Sequence, residues 1–285
     1  VDDDPERDAQ AEASLRQAVQ SVGFEDVSFQ LEPIAAALDY EQRLTQESTV
    51  LVVDLGGGTS DFTVVRLGPD RMHRADRSQD VLATTGVHIG GTDYDRQLNL
   101  SQVMPLLGYK HIGPEQREVP SRVFFDLATW HLIHWQYQPK AIAHAKTLRT
   151  NYSNPRLHER LMQVLTERHG HHIAHEVEQA KIRCSVHDAD TCIDLSVVER
   201  NLQATLGVPD MQAHLHELLA RTVACARECV QRAGLTDASL NAIYLTGGSS
   251  ALRTFQQALQ AEFPGVKLVE GDLFGGVALG LAYSR

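Results

Sequence analysis

Asp54-Leu55-Gly56-Gly57-Gly58-Thr59-Ser60-Asp61 brings together the residue types that can hold a phosphate chain and its magnesium. Consecutive glycines can take positive φ and leave their N–H groups uncovered by any Cβ, so such a turn can wrap an anion with amides alone. Asp54 ends the apolar run from Val50 to Val53, where it can face a hydrated cation, and Thr59 adds a hydroxyl to the same turn. Phe62 to Leu67 is again apolar and β-branched, which predicts strand, turn, strand. The stretch lacks the lysine of a P-loop and opens no helix, so it is not a dinucleotide fingerprint. A plain tight hairpin needs one or two glycines but neither Asp54 nor Thr59.

A second candidate anion site is Thr246-Gly247-Gly248-Ser249, read as lying between a strand and a helix. There free amides and the positive end of a helix dipole would sit together. Glu178, Lys181, Ile182 and Ser185 fall at i, i+3, i+4 and i+7 and share one helical face. A carboxylate and an ammonium there can hydrogen-bond ribose hydroxyls; an ordinary surface Glu–Lys pair is the other reading. His171 and His175 could share a helix face and hold a metal, although a solvated polar helix start is favoured over a metal. Cys184, Cys192, Cys225 and Cys229 have no C-x-x-C spacing and read as reduced thiols. Trp130 and Trp135 are expected to pack a helical region.

These residues need elements to position them. Asp4-Pro5 predicts a capped helix with Ala11, Leu15, Ala18 and Val19 as its apolar face, ended by Gly23. A short strand is expected from Val27 to Leu31, then a small-faced helix opened by Glu32-Pro33. Further strands are expected at Val81 to Thr85, Asn241 to Leu245 and Val266 to Val269, with a hairpin inside Asp188 to Val198. Tyr94 to about Gly234 reads as mainly helical, long enough for an inserted subdomain. Leu252, Phe255, Leu259 and Phe263 stripe the helix after Ser250, and Gly275 to Ala282 is a closing run of small residues.

The chain has 285 residues and is 42% hydrophobic, enough for a substantial core in two domains or one with an insertion. A net charge of −11 argues against a nucleic-acid partner. No apolar run approaches the ~20 residues that cross a bilayer, and Val1-Asp2-Asp3-Asp4 carries no signal-peptide pattern. A cytoplasmic protein is the expectation, and a start without methionine reads as a fragment.

Glu32-Pro33-Ile34-Ala35-Ala36-Ala37, the Asp54–Asp61 stretch, Gly90-Gly91-Thr92-Asp93-Tyr94-Asp95, Glu178-x-x-Lys181 and Thr246-Gly247-Gly248-Ser249 occur in one order. That order resembles the ATPase domain of the seventy-kilodalton heat-shock chaperones, the DnaK family, and more narrowly its YegD-like members. Residues 98–170 carry no matching motif. The resemblance implies an α/β chain of the actin, sugar-kinase and chaperone ATPase fold (ribonuclease H-like), a mixed sheet flanked by helices with a mostly helical insertion. It implies a remnant of lobe I with a crossover helix over 1–49, the nucleotide-binding subdomain of lobe II over 50–97 and 240–285, and an inserted subdomain over 98–239.

On that resemblance ATP or ADP with Mg2+ would be the ligand of a nucleotide-gated chaperone. Gly57, Gly58 and Thr59 would cradle phosphates, beside Gly91. Asp54 would bind magnesium through water, and Glu32 would orient the attacking water, making Glu32, Asp54 and Thr59 the catalytic set. Glu178, Lys181 and Ser185 would face ribose and adenine, with Gly248 and Ser249 closing the other side. Partners would be the nucleotide and unfolded clients or co-chaperones, with no membrane. Two departures stand out. The family's other phosphate hairpin, Asp-x-Gly-Thr, and its catalytic lysine have no counterpart here, so this stretch alone is expected to hydrolyse ATP poorly or not at all. The two arginines that stack adenine in the family are replaced by Ile182 and Ala251, with Arg183 and Arg253 one residue along. A sugar-kinase-like phosphotransferase and a degenerate, non-hydrolysing nucleotide-binding module are the alternatives.

Overall fold

The computed structural model describes residues 5–30, 32–72, 74, 77–273 and 275–283. Its centre is a five-stranded mixed sheet in the order β3-β2-β1-β6-β7. The strands are β1 (Ser48–Leu55), β2 (Ser60–Leu67), β3 (Val81–Val87), β6 (Ala242–Thr246) and β7 (Lys267–Glu270). A separate two-stranded ribbon holds β4 (Thr191–Asp194) and β5 (Gln203–Leu206). The helices are α1 (Pro5–Ser21), α2 (Glu32–Glu41), α3 (Gly91–Leu98), α4 (Arg122–Ala128), α5 (Pro139–Thr147), α6 (Pro155–Thr166), α7 (Gly170–His187), α8 (Val208–Arg232), α9 (Arg253–Glu262) and α10 (Gly276–Tyr283).

β1 explains its own sequence. It pairs antiparallel with β2 and parallel with β6, so it lies inside the sheet with both faces covered. Val50 and Val52 join Ile34, Ala37 and Leu38 of α2 in one cluster, whereas Leu51, Val53 and Leu55 point into the larger core of the helical side. A strand buried on both faces needs an unbroken apolar run rather than an alternating one. On the α2 side small residues let backbones touch: a Cβ on Gly280 of α10 would fall within bonding distance of the Ala35 carbonyl. The mixed α/β sheet flanked by helices is the fold class read from the sequence.

Four local expectations are corrected. Residues 27–30 form no strand, and Leu31 lies outside the described residues, as does Asp4; a strand needs a neighbour to complete its ladder, and none pairs here. The apolar face of α1 is not buried: Ala11, Leu15 and Ala18 are exposed and Val19 is only half-buried. The second strand of the expected hairpin lies at 203–206, beyond Val198. Finally, a 3-10 turn over Gly248–Ala251 delays the helix after β6 until Arg253.

Candidate functional site

Three glycine bends from distant parts of the chain meet at one end of the sheet. Gly56 N–H donates to the Thr59 carbonyl at 3.0 Å and closes the turn between β1 and β2. The N-terminus of α3 fastens that turn: Gly91 N–H donates to the Gly56 carbonyl at 3.0 Å, and the Thr92 N–H and Oγ1 both donate to the Gly57 carbonyl at 2.8 Å. A Cβ on Gly90 would lie 2.6 Å from the Gly57 carbonyl, so the two bends can press together only with glycine there. The third bend turns at Gly247, whose φ of +78° favours glycine and whose Cβ would lie 2.5 Å from Asp54 Oδ1. By contrast, a Cβ on Gly57 or Gly58 would meet nothing within 4 Å. That leaves an open cradle beside exposed backbone, which suits an anionic chain.

A cleft of about 400 Å³ opens between these bends and α7. Gly56, Gly57, Gly248 and Ser249 line one side, and Glu178, Lys181 and Ser185 the other. Its outer wall is apolar, made by Ile182, Val186, Ala251, Leu252 and Leu273. The predicted residues are not equally free. The Lys181 ammonium is buried and lies 2.8 Å from Asp95 Oδ1 and 3.5 Å from the Gly91 carbonyl. Ser185 Oγ accepts the Arg253 N–H at 2.8 Å and so caps α9. Gly91 is packed beneath Ser249, where a Cβ would collide with the Ser249 hydroxyl. Gly58 and Thr59 sit on the exposed rim of the turn and do not line the cleft. Arg183 and Arg253 face elsewhere: Arg183 donates to Thr191 Oγ1 and the Cys192 carbonyl, and Arg253 pairs with Asp188 at 3.1 Å.

Across the Asp54–Gly247 contact lies a second recess, of about 300 Å³, lined by Glu32, Asp54, Asp61, Thr63 and Thr84. Glu32 starts α2, so its carboxylate is carried to the end of β1 by the packing of that helix on the sheet. Thr59 Oγ1 donates to Asp61 Oδ2 at 2.9 Å. Glu32, Asp54 and Asp61 put hard carboxylate oxygens on this recess, a donor type that suits a magnesium ion keeping several of its own waters. Burial, and then the neighbouring charges of Glu32 and Asp61, push the Asp54 carboxyl up to about 6.

That crowding gives a stability prediction. An acid whose folded pKa lies above its unfolded value weakens the fold once it ionises. For Asp54 the penalty is absent below the ordinary value of 3.8, grows as pH rises and is complete above about 6. Discounted for solvent screening, Asp54→Asn is expected to stabilise the chain by ~1–2 kcal/mol at pH 7.5 and by almost nothing at pH 3.5. Thermal melts at the two pH values check it, and an unchanged melting temperature at pH 7.5 counts against it.

Asp95 is a residue whose role the sequence reading did not assign, although it lies inside the quoted Gly90-Gly91-x-Asp-x-Asp motif; Leu273 carried no signal at all. The two tryptophans do not pack the interior: Trp130 and Trp135 are 54% and 58% exposed. His171 stacks edge-on against Trp130 at 5.0 Å, and His175 lies 3.9 Å from Glu178. Among the described residues no helix is long and apolar enough to cross a membrane.

Comparison with known proteins points the same way. The family model described as Hsp70 protein matches residues 6–103. The chain is 25% identical over 276 residues to a "Chaperone protein HscA homolog" of Bordetella petrii, covering 96% of this chain and 34% of that protein. It is 41% identical over 91 residues to "Chaperone protein DnaK" of Deinococcus radiodurans, covering 32% of this chain and 13% of that one. A "Chaperone protein dnaK" of Gracilaria tenuistipitata var. liui is 37% identical over 92 residues, 32% of this chain and 14% of the relative. The chain thus spans about a third or less of the length of these relatives. Together the matched segment, the relatives and the mixed sheet support an Hsp70-type ATPase domain.

Proposed function

We propose that this chain is the nucleotide-gripping part of a DnaK-like chaperone, YegD-like in kind, in which lobe closure is coupled to phosphate contacts. The observation that carries the reading is the meeting of the Gly56, Gly90 and Gly247 bends at one cleft faced by α7. In this reading 1–49 belongs to lobe I, 50–97 with 240–285 forms the nucleotide-binding subdomain, and 98–239 is an insertion. Gly57 in the cleft, with Gly58 and Thr59 on the exposed rim above it, binds the phosphates from one side, and Gly248 and Ser249 bind them from the other. Asp54 holds the hydrated magnesium, whose role when bound is to neutralise phosphate charge. Glu32 lines the same recess as that carboxylate and orients water there. Glu178, Lys181 and Ser185 face ribose and adenine, Lys181 being held in place by Asp95, while Gly91 packs beneath Ser249 beside the phosphate end. Unfolded clients or co-chaperones in the cytoplasm would be the partners of the whole protein.

The aliphatic wall at Ile182 and Ala251 favours one second reading, a module that binds nucleotide without turning it over. Calorimetry with ADP and ATP in excess magnesium tests the proposal. The expected Kd is about 10–300 µM, since the arginine stacks are missing. Gly248→Asp, on an exposed turn, should abolish binding by setting a carboxylate against the phosphates without changing the melting temperature. Absence of any binding heat at millimolar nucleotide would overturn the reading; binding without phosphate release by the full-length protein would select the non-hydrolysing module.

A further inference from the structure

Beside the cleft, behind the Asp95–Lys181 pair, lies a smaller recess of about 210 Å³. Thr92, Asp95, Asn99, Trp130 and Glu178 line it, and Glu178 is shared with the cleft. Asn99 is only 2% exposed, yet its Oδ1 is buried and has no hydrogen-bond partner. It opens a π turn, Asn99–Val103, that interrupts the run of helix after α3. Such turns are rare and concentrate at functional sites, and a buried acceptor left without a donor is unfavourable unless something fills it.

The lining is one-sided in its chemistry. Asn99 Oδ1 and the carboxylates of Asp95 and Glu178 accept hydrogen bonds, and the Thr92 hydroxyl has already spent its proton on Gly57. Lys181 balances one of the two carboxylates, which leaves a net negative charge. At the rim the half-exposed Trp130 ring stands edge-on to His171, offering a flat aromatic surface. The matching ligand is planar, positive and rich in N–H donors: it can stack on indole while its fork of donors reaches a carboxylate and an amide oxygen. We propose that this recess is a guanidinium-binding site, for a small molecule or for an arginine side chain of a peptide. The inference does not depend on the nucleotide reading, because the recess and its probe can be examined without nucleotide.

The test is a titration of the chain carrying Trp135→Phe, which leaves Trp130 as its only indole, read by Trp130 fluorescence and amide chemical shifts. Propylguanidinium should bind saturably in the millimolar range and neutral propylurea at least tenfold more weakly, because only the former carries charge. A Gly-Arg-Gly amide arm separates the two sources: tighter binding than propylguanidinium marks a peptide arginine, weaker binding a small molecule. Asn99→Leu should weaken binding about tenfold or more. Asn99 is buried, so a second variant on an exposed side chain, Trp130→Leu, should independently weaken binding about threefold or more, read by chemical shifts. No saturation below about 50 mM, equal binding of propylurea, or unchanged affinity in Trp130→Leu would each overturn the proposal.

Discussion

Replacing Glu41 with alanine is expected to lower the unfolding free energy by ~3–5 kcal/mol. Glu41 is fully buried at the end of α2 and both of its oxygens are occupied. Oε1 accepts the Gly68 N–H at 2.8 Å and Arg77 Nη2 at 3.0 Å, and Oε2 accepts Arg77 Nη1 at 2.8 Å. Arg77 also reaches Asp80 at 2.5 Å, Asp80 pairs with Arg71, and Arg71 donates to Glu47 at 2.9 Å. Charges therefore alternate along a chain of five side chains, most of it out of water. Truncating Glu41 leaves the Arg77 guanidinium buried with half of its partners gone and the Gly68 N–H without its acceptor. Glu41→Gln keeps the shape and one acceptor and should lose less. The double variant Glu41→Ala/Arg77→Leu should recover much of the loss, because the unpaired charge leaves with its partner. Urea unfolding of the three variants checks the cycle; a loss below about 1 kcal/mol for Glu41→Ala would show that the network carries no such weight. The consequence reaches the site, since the helix that Glu41 anchors at one end presents Glu32 at the other, ~14 Å away.

Local patterns made much of this molecule legible and pairings hid the rest. Val50 to Val53 reads as a strand because both faces are buried, and the glycines before Thr59 and after Thr246 read as bends because only short side chains allow that approach. The α7 spacing put Glu178, Lys181 and Ser185 on one face, and all three line the cleft. What the spacing does not reveal is the partner. Lys181 finds Asp95 on α3, and Ser185 finds the first N–H of α9, through contacts between elements far apart in the chain. The strand expected at Val27 to Leu31 has suitable residues but no ladder to join, and the β-rich composition of a segment says nothing about its neighbour. The tryptophans failed for the opposite reason: large aromatic residues are usually buried, and only the surface position of the 3-10 segment Trp130–Tyr137 leaves these two outside. The π turn at Asn99 has no sequence signature that periodicity could detect.

Restoring the missing stacks should tighten nucleotide binding by ~10–100-fold in the double variant Ile182→Arg/Ala251→Arg. A flat base seated against Ile182, Val186 and Leu252 gains apolar contact only, whereas a guanidinium lying on each face adds ~0.5–2 kcal/mol. The arginines already nearby cannot supply it. Arg183 is turned about 100° around α7 from Ile182 and is held by the Thr191 hydroxyl and the Cys192 carbonyl. Arg253 is held by Asp188 and the Val186 carbonyl. Ile182 is 44% exposed and Ala251 is exposed, so the long polar side chains enter without displacing core. Lysine at the same two positions separates the causes: if charge near the phosphates were enough, lysine would serve as well, but a point charge on a flexible stem stacks poorly. The expected order of ADP affinity is therefore double arginine, double lysine, parent, measured by calorimetry with magnesium. Equal affinity for all three would mean that the base does not lie between these two positions, and the adenine end of the cleft would have to be reassigned even if the phosphate end stands.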